Sequence, residues 1–497
     1  MGTFMCILAV STIGVTLPAI QTHFKADFAG LQWVAGGYTL CLSALMLSSG
    51  PLSDRFGHAR TWLAGVAVFV GGALLCALAP SLTVLVIGRA IQGSGAAFVI
   101  PGALSVLTHA FPDPIARAKA IGGWSAISNI ALIFGPMFGG TLVDAIGWQS
   151  VFWVSIPLGL IATALGVHGL RGQGHVPAGT KVDVGGQLTS TIFLGAMTLA
   201  VITAGKVGWG ATSVLVPALN SALALLAFIA VERRARSPLV PLDLFRNPGF
   251  TAANFASFVI GFSVYSASIF FSLYLQQVAG WSASETGWRL APMFTATVLT
   301  NFLYGFIAAR VSLRPLLIFT YLLLGGSMLG MGAVFTAQTP YAEMVPLFVC
   351  LGIGLGLAVP ATDIAVMGAV PSNKCGVASA TMNALRQSGM TLGIALLGVV
   401  LEARAVETLT RSFGEAGVPQ AGETATRAIH YRTFPEGLDM AETLFKALRA
   451  HAYSAGYSLL FVLAGLVCLG AALAFVVRRP AVESAQRPAK GGLQATE

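Results

Sequence analysis

Gly50-Pro51-Leu52-Ser53-Asp54-Arg55-Phe56-Gly57-His58-Ala59-Arg60 is a short charged break between two long apolar runs. Residues 33–53 before it overlap its first positions without a charge, and residues 61–79 after it carry none. Each run is about 20 residues long, enough to cross the hydrocarbon of a bilayer as a helix. The break therefore reads as a loop between two membrane helices. Gly57 suits a tight turn, and Asp54 can pair with a cation or meet a helix N-terminus. Arg55 and Arg60 would also act as anchors that hold this loop on the cytoplasmic side.

The same kind of run fills the rest of the chain. Working outward, the other spans are 4–22, 82–105, 119–143, 149–169, 185–204, 212–231, 251–275, 288–309, 315–335, 343–369, 376–401 and 455–477, fourteen in all with the two above. The 497 residues are 56% hydrophobic and only 9% charged. Average soluble proteins carry about 25% charged residues, so a soluble class is excluded. Alternating ten-residue segments are absent, so helices rather than a barrel satisfy the backbone. The fold class is an all-α membrane protein. The 58 glycines suit close helix packing in lipid. The first span begins almost at Met1 with no small-residue cleavage site after it, and reads as a retained helix; a misassigned start codon would account for the missing tail.

An even number of spans puts both termini on one side. With the termini cytoplasmic, inner loops hold Arg55, Arg60, Arg117, Lys119, Arg171, Lys181, Arg233, Arg234, Arg236, Arg246, Arg310, Arg314, Lys374, Arg478, Arg479, Arg487 and Lys490. Short outer loops and helix edges hold Lys25, Lys206 and Arg289. The bias predicts that orientation, in a plasma membrane of bacterial type. The net charge of +9 then reflects loops facing anionic lipid rather than nucleic acid. Segment 402–454 is long enough to escape the charge rule. It reads as a solvated connector or as a flap over an outer opening, with a short amphipathic helix at Asp439 to Ala452. The polar tail 478–497 is expected to be disordered.

Six cysteines lie scattered without paired spacing, and seven histidines show no ligand spacing. Neither a disulfide framework nor a metal site is expected, and no cofactor. No phosphate-binding loop of the GxxxxGK[ST] kind is present, so ATP is not the direct energy source. No nucleophile–base constellation marks an enzyme.

Gly50, Arg55 and Arg60 have an echo in Gly305, Arg310 and Arg314, again after the second span of a half. This fits two six-helix halves, 1–170 and 251–477, joined by a linker 171–250 that carries an inserted helix pair. Three polar groups then stand out inside spans. Arg89, in Arg89-Ala90-Ile91-Gln92-Gly93-Ser94-Gly95, costs at least about 2.5–3.5 kcal/mol at mid-membrane and needs a partner, a wet cavity or an outward reach as an anchor. Asp363 lies roughly 10 Å and Arg386 roughly 15 Å from the inner ends of their helices. If those helices are neighbours the two can meet. Asp363 is then a candidate proton carrier tuned by Arg386, or half of a permanent structural ion pair. Asp27 and Glu285, at outer helix ends, are expected to be solvated.

Taken together, Gly50-x-x-x-Asp54-Arg55-x-Gly57-x-x-Arg60, the Arg89 segment and Gly135-Pro136-Met137-Phe138-Gly139-Gly140 resemble the major facilitator superfamily, in its fourteen-span drug:proton antiporter branch. The resemblance covers nearly the whole chain. Gln32-Trp33, Tyr38, Trp148 to Phe152 with Pro157, and Gly376 through Gln387 add to it. It implies a major facilitator fold working as a monomer by alternating access. The implied role of Gly50, Asp54, Arg55, Gly57 and Arg60 is to latch the inner gate, and that of Arg89 is to take part in proton transfer. Gly135, Pro136, Gly139 and Gly140 resemble the antiporter signature of helix five, where the proline bends the helix and the glycines admit close contact. The implied central cavity draws its candidates from Tyr38, Gln92, Asn129, Asn254, Phe258, Phe262, Tyr265, Asn301, Asn383 and Gln387. One departure is plain: Ala9 and Gly14 stand where the family usually has Asp and Asn, so Arg89 has no obvious counter-charge on helix one.

The function expected from this is secondary efflux of drugs or other organic compounds driven by protons. An exporter or facilitator of one metabolite without standard coupling, and a receptor or scaffold that moves nothing, are the alternatives.

Overall fold

The computed structural model describes residues 1–111, 113–169, 183–235, 238–371, 374–431, 434 and 440–477, apart from some side chains between 108 and 129, Asn129 among them. The expected disordered tail 478–497 lies outside these residues. So does the first part of the linker.

Among the described residues all regular structure is helical. The first span is a bent pair, α1 (Gly2–Ser11) and α2 (Ile13–Phe24), meeting at 54°. Ser11, Thr12 and Thr16 bond back to carbonyls three or four residues earlier, and Pro18 removes a helical N–H, which together account for the bend. Then follow α3 (Phe28–Phe56), α4 (His58–Ala77), α5 (Leu82–Ala110), α6 (Pro114–Ile146), α7 (Ser150–Trp153) and α8 (Ser155–Gly169). The inserted pair is α9 (Val184–Val207) and α10 (Thr212–Arg234), followed by a 3-10 turn at Leu242–Arg246. The ninth span is α11 (Pro248–Val259), a π-helical turn at Ile260–Tyr265 and α12 (Ser266–Gln277). Next come α13 (Ala283–Ala308), α14 (Leu313–Val334), α15 (Tyr341–Gly368), α16 (Cys375–Glu415), α17 (Ala421–His430) and α18 (Glu442–Val477). Thirteen single spans and the bent pair reproduce the fourteen expected.

Local chemistry sets the boundaries. Asp27, Ser81, Asp183, Asn247 and Ser282 each accept a backbone N–H at a helix start. Gly57 stops α3 with φ +95°, a conformation closed to most residues, so the loop quoted first turns within a single position.

Two sets of six spans pack internally and meet along α6 with α13, α3 with α16, and α2 with α12. In the inserted pair α9 lies against both α3 and α16, so the pair covers one seam between the halves. Its partner α10 is the least covered span, 11% of its apolar window buried against 72% for α3.

The hydrogen bonds between halves show which end is closed. Gln32 Nε2 donates to the carbonyls of Ile394 and Ala395 at 2.8 and 2.9 Å, and Thr391 Oγ1 donates to Thr39 Oγ1 at 3.0 Å. Gln276 Nε2 donates to Val15 O at 3.1 Å, Gln277 Nε2 to Gln21 Oε1 at 3.2 Å, and Ser284 N to Asp144 Oδ2 at 2.7 Å. Gly140 and Gly287 let α6 and α13 touch: a Cβ on either would sit 2.1 Å from a carbonyl oxygen of the other helix. All of these lie between the Thr39–Thr391 level and the end remote from Arg55. Among the described residues no hydrogen bond joins the halves nearer the Arg55 end. Among the described residues the hydrogen bonds between the halves are gathered toward the end remote from Arg55.

Beyond the closed end, segment 402–454 is largely helical rather than a connector with one short helix. α16 runs on to Glu415, and α17 and the start of α18 fold against it, burying Leu409, Phe413, Ile429, Phe445 and Tyr453. Tyr453 Oη donates to Ile429 O at 2.8 Å. His430 Nε2 meets Glu402 Oε1 at 3.2 Å. Burial is the main cause that holds the His430 imidazole below the usual histidine range. Asp27 is likewise not simply solvated: it caps α3 and pairs with Lys206 at 2.5 Å, tying the inserted pair to α3.

Thr141 Oγ1 and Ser284 Oγ lie 3.3 Å apart across the closed end. In a chain with its native cysteines replaced, Thr141→Cys with Ser284→Cys is expected to form a disulfide under mild oxidant. Adding Gly287→Val, which pushes α6 from α13, is expected to reduce that cross-link severalfold on a mobility-shift gel.

Candidate functional site

Between the halves lies a cavity of about 300 Å3. The first span contributes Val10, Ser11 and Gly14, the ninth Tyr265, Ser268, Ile269 and Ser272, and α13 Met293, Phe294, Thr297 and Asn301. From α16 come Asn383, Arg386, Gln387 and Met390. Apolar walls with a few hydroxyls, amides and one guanidinium suit an amphipathic organic molecule.

Arg386 is the charged group of that wall, and Asp363 on α15 is brought to it. Arg386 Nη2 meets Asp363 Oδ1 at 2.5 Å. Its Nε donates to Ser257 Oγ at 3.1 Å, and Ser257 Oγ donates to Met382 O at 3.2 Å. The pair is asymmetric: the Arg386 side chain is 6% exposed and that of Asp363 40%. A buried cation is thus held by a carboxylate that is itself only partly covered by protein. The π-helical turn lies directly against this site. Gly261 within it packs so closely on Arg386 that a Cβ would fall 1.8 Å from the Arg386 carbonyl oxygen. The wide turn carries the ninth span past α16 and delivers Tyr265 to the cavity.

Arg89 on α5 is held differently. It is 1% exposed, with Nε donating to Val34 O at 3.1 Å and Nη1 to Gln92 Oε1 at 3.0 Å. Its guanidinium carbon stands 4.4 Å from the centre of the Tyr38 ring. Among the described residues no carboxylate reaches it. A carbonyl, an amide and an aromatic face share the charge instead, each a weaker partner than an ion. Gly93 lets Tyr38 approach, since a Cβ there would meet the Tyr38 carbonyl at 2.1 Å.

The other sequence candidates fall into separate places. In the first loop Asp54 faces His58 at 3.6 Å and Arg55 covers the Phe56 ring at 5.4 Å. Among the described residues neither bridges to the second half. Arg314, the echo residue, donates to the Phe475 and Val476 carbonyls at 3.0 and 2.7 Å at the C-terminal end of α18. On α6, Gly140 meets the second half and Pro136 offers its carbonyl to Gly287, while Gly135 and Gly139 pack on Ser11 and Thr12 of the first half. Of the cavity candidates, Tyr265, Asn301, Asn383 and Gln387 line the central cavity. Tyr38 and Gln92 instead surround Arg89, and Asn254 is buried with Nδ2 donating to Phe250 O at 2.9 Å. Phe258 lines a different cavity behind α16, and Phe262 stacks on it at 5.9 Å. Asn129 is on α6, its side chain outside those described. Ser11, Ser268, Ser272 and Thr297 were missed as cavity residues; the break of the first span at Thr12, which turns Ser11 inward, has a sequence signal only in the run of hydroxyls before Pro18.

A family model described as Major Facilitator Superfamily matches residues 1–394. The chain belongs to this superfamily. It is a multi-pass membrane transporter and not an enzyme. It is 35% identical to the "Multidrug resistance protein Stp" of Mycobacterium tuberculosis (strain ATCC 25618 / H37Rv), over 82% of this chain and 76% of that protein. It is 30% identical to the "Tetracenomycin C resistance and export protein" of Streptomyces glaucescens, over 98% and 91%. The fold matches that of an auto inhibited POT family peptide transporter with TM-score 0.63 at 15% identity, covering 99% and 98% of the two chains. A D-xylose-proton symporter matches with TM-score 0.58 at 14% identity, covering 94% of each.

The Arg89 site of this superfamily member makes a graded prediction. Tyr38→Phe keeps the ring face and loses only a 3.3 Å bond from Oη to Cys6 O. Tyr38→Leu removes the ring, worth about 2 kcal/mol to a desolvated cation, and opens a void. Melting in detergent is expected to fall little for the first and by several degrees for the second.

Proposed function

We propose that this transporter exports drugs or similar amphipathic organic compounds by alternating access, in exchange for protons that bind at Asp363. One observation carries the reading: the cavity between the halves is closed at the end remote from Arg55, and its only charged lining residue, among the described residues, is tied to a carboxylate that protein only partly covers. Substrate entering from the Arg55 end and a proton arriving at Asp363 would act on the same wall. Protonation would free Arg386, loosening α15 from α16; release of the proton would restore the pair. Relatives named for multidrug resistance and antibiotic export support the substrate class.

In this reading residues 1–170 and 251–477 are the two moving halves and 171–250 carries the inserted pair. The Asp54 and Arg55 loop latches the cytoplasmic end when it closes, and both termini are cytoplasmic. The chain acts as a monomer. The second reading, transport without proton coupling, is favoured by the absence of a carboxylate at Arg89. Collapse of export by a protonophore separates the two.

Asp363→Asn is expected to lower pH-driven efflux from vesicles tenfold or more while leaving substrate exchange at equal pH near the parent rate. Unchanged pH-driven efflux in this variant would reject the proton role. Because Asp363 is partly exposed, the stability loss should be below the ~3–5 kcal/mol of breaking a fully buried pair. Arg60→Cys, in a chain without other cysteines, is expected to react with an impermeant maleimide only from the cytoplasmic side of oriented vesicles.

A further inference from the structure

A second cavity, about 410 Å3 in volume, lies behind α16. One face of α16 turns Asn383, Arg386 and Gln387 to the central cavity, and the other turns Ala384, Leu385 and Ser388 to this one. The remaining walls come from α3, α9, α10, the 3-10 turn and α11, so both halves and the inserted pair contribute. The lining is apolar but for a few hydroxyls. Thr381 among them is 1% exposed and leaves its Oγ1 without a hydrogen-bond partner. A drug-like ligand would need several converging polar groups. A hydrocarbon chain needs none, and an empty apolar space forfeits the dispersion contacts of its walls. The outer wall is α10, the least covered span, so bilayer lipid is the adjacent medium.

The charge at the rim selects among lipids. Arg233 stands four residues beyond Ile229 and eight beyond Leu225, both lining residues, and so lies on the same face of α10 just past the cavity. Arg233 and Arg234 are exposed, and no ion pair is formed by either among the described residues. Arg246 follows the lining Phe245, is 86% exposed, and forms a loose surface ion pair with Asp243 at 4.0 Å. Glu232 does not neutralise the group from the surface: it is buried, with Oε2 accepting from Val240 N at 3.1 Å.

We propose that this cavity holds an acyl chain of an anionic phospholipid whose phosphate sits among Arg233, Arg234 and Arg246. The lipid fills the space beside α3 and α16, beneath the inserted pair. Its walls move relative to one another whenever the Arg55 end closes, so occupancy biases that step.

The test uses the full chain purified in detergent, titrated with phosphatidylglycerol or phosphatidylcholine and read by native mass spectrometry and thermal melting. Phosphatidylglycerol should be retained preferentially and raise the melting temperature more. Each cation near an anionic lipid is worth about fivefold in binding, so Arg233→Gln with Arg234→Gln and Arg246→Gln should erase the preference. Ala384→Phe should reduce retention of both lipids by filling the space. Leu225→Trp, on the exposed α10 wall, does the same if the first variant folds poorly. Arg404→Gln, on the far extension of α16, should change nothing. Equal retention of the two lipids, a preference that survives the triple variant, or displacement of the lipid by a lipophilic drug would overturn the proposal.

Discussion

Hydrocarbon offers no hydrogen bonds, so each backbone group must be paired within its own helix and each charge kept at depth must be bonded by protein. Fourteen spans follow from the first demand. The second sorts the few polar groups inside them. Arg89 and Arg386 are both nearly fully buried, yet they meet the demand in different ways. Arg89 takes a carbonyl, an amide and a ring; Arg386 takes a carboxylate and a hydroxyl. The partners of Arg89 carry no formal charge, whereas Arg386 is paired with a carboxylate.

How helices approach one another is the second consequence. Without a hydrophobic drive between helices in lipid, contact depends on shape and on small residues. Gly140 and Gly287 seal the closed end, and Gly261 lets the ninth span lie on α16 beside Arg386. The π-helical turn there is an accommodation to that contact. It opens the helix by one residue at the place where a side chain must reach the cavity, a placement often found at functional positions.

Much of the fold was legible from residues alone. Run length and charge located the spans, and the Gly57 break and its echo near Arg310 disclosed the two halves. The Asp363–Arg386 pair was legible because each charge is costly in its span and depth counting put them near one level. The cavity lining was less so. Tyr38 and Gln92 looked like cavity groups because they are polar residues in central helices, but Arg89 consumes both. Ser11 becomes a lining residue through the 54° bend of the first span. Rotation of a helix about its axis is set by packing that a lipid-facing pattern encodes weakly. The cap beyond the closed end was hidden for another reason: its core is shared among α16, α17 and α18, with each apolar face too short to read by itself.

The balance between the two ends sets how such a bundle can move. Contacts between the halves at the closed end are a handful of hydrogen bonds, each worth about 1 kcal/mol net, close approaches at glycines, and buried apolar side chains that join both halves in one continuous core. A single charge moving through the membrane potential brings about 2.3 kcal/mol per 100 mV. Each glycine at the closed end lets backbone approach backbone, and the hydrogen bonds beside it fix the register in which the halves meet.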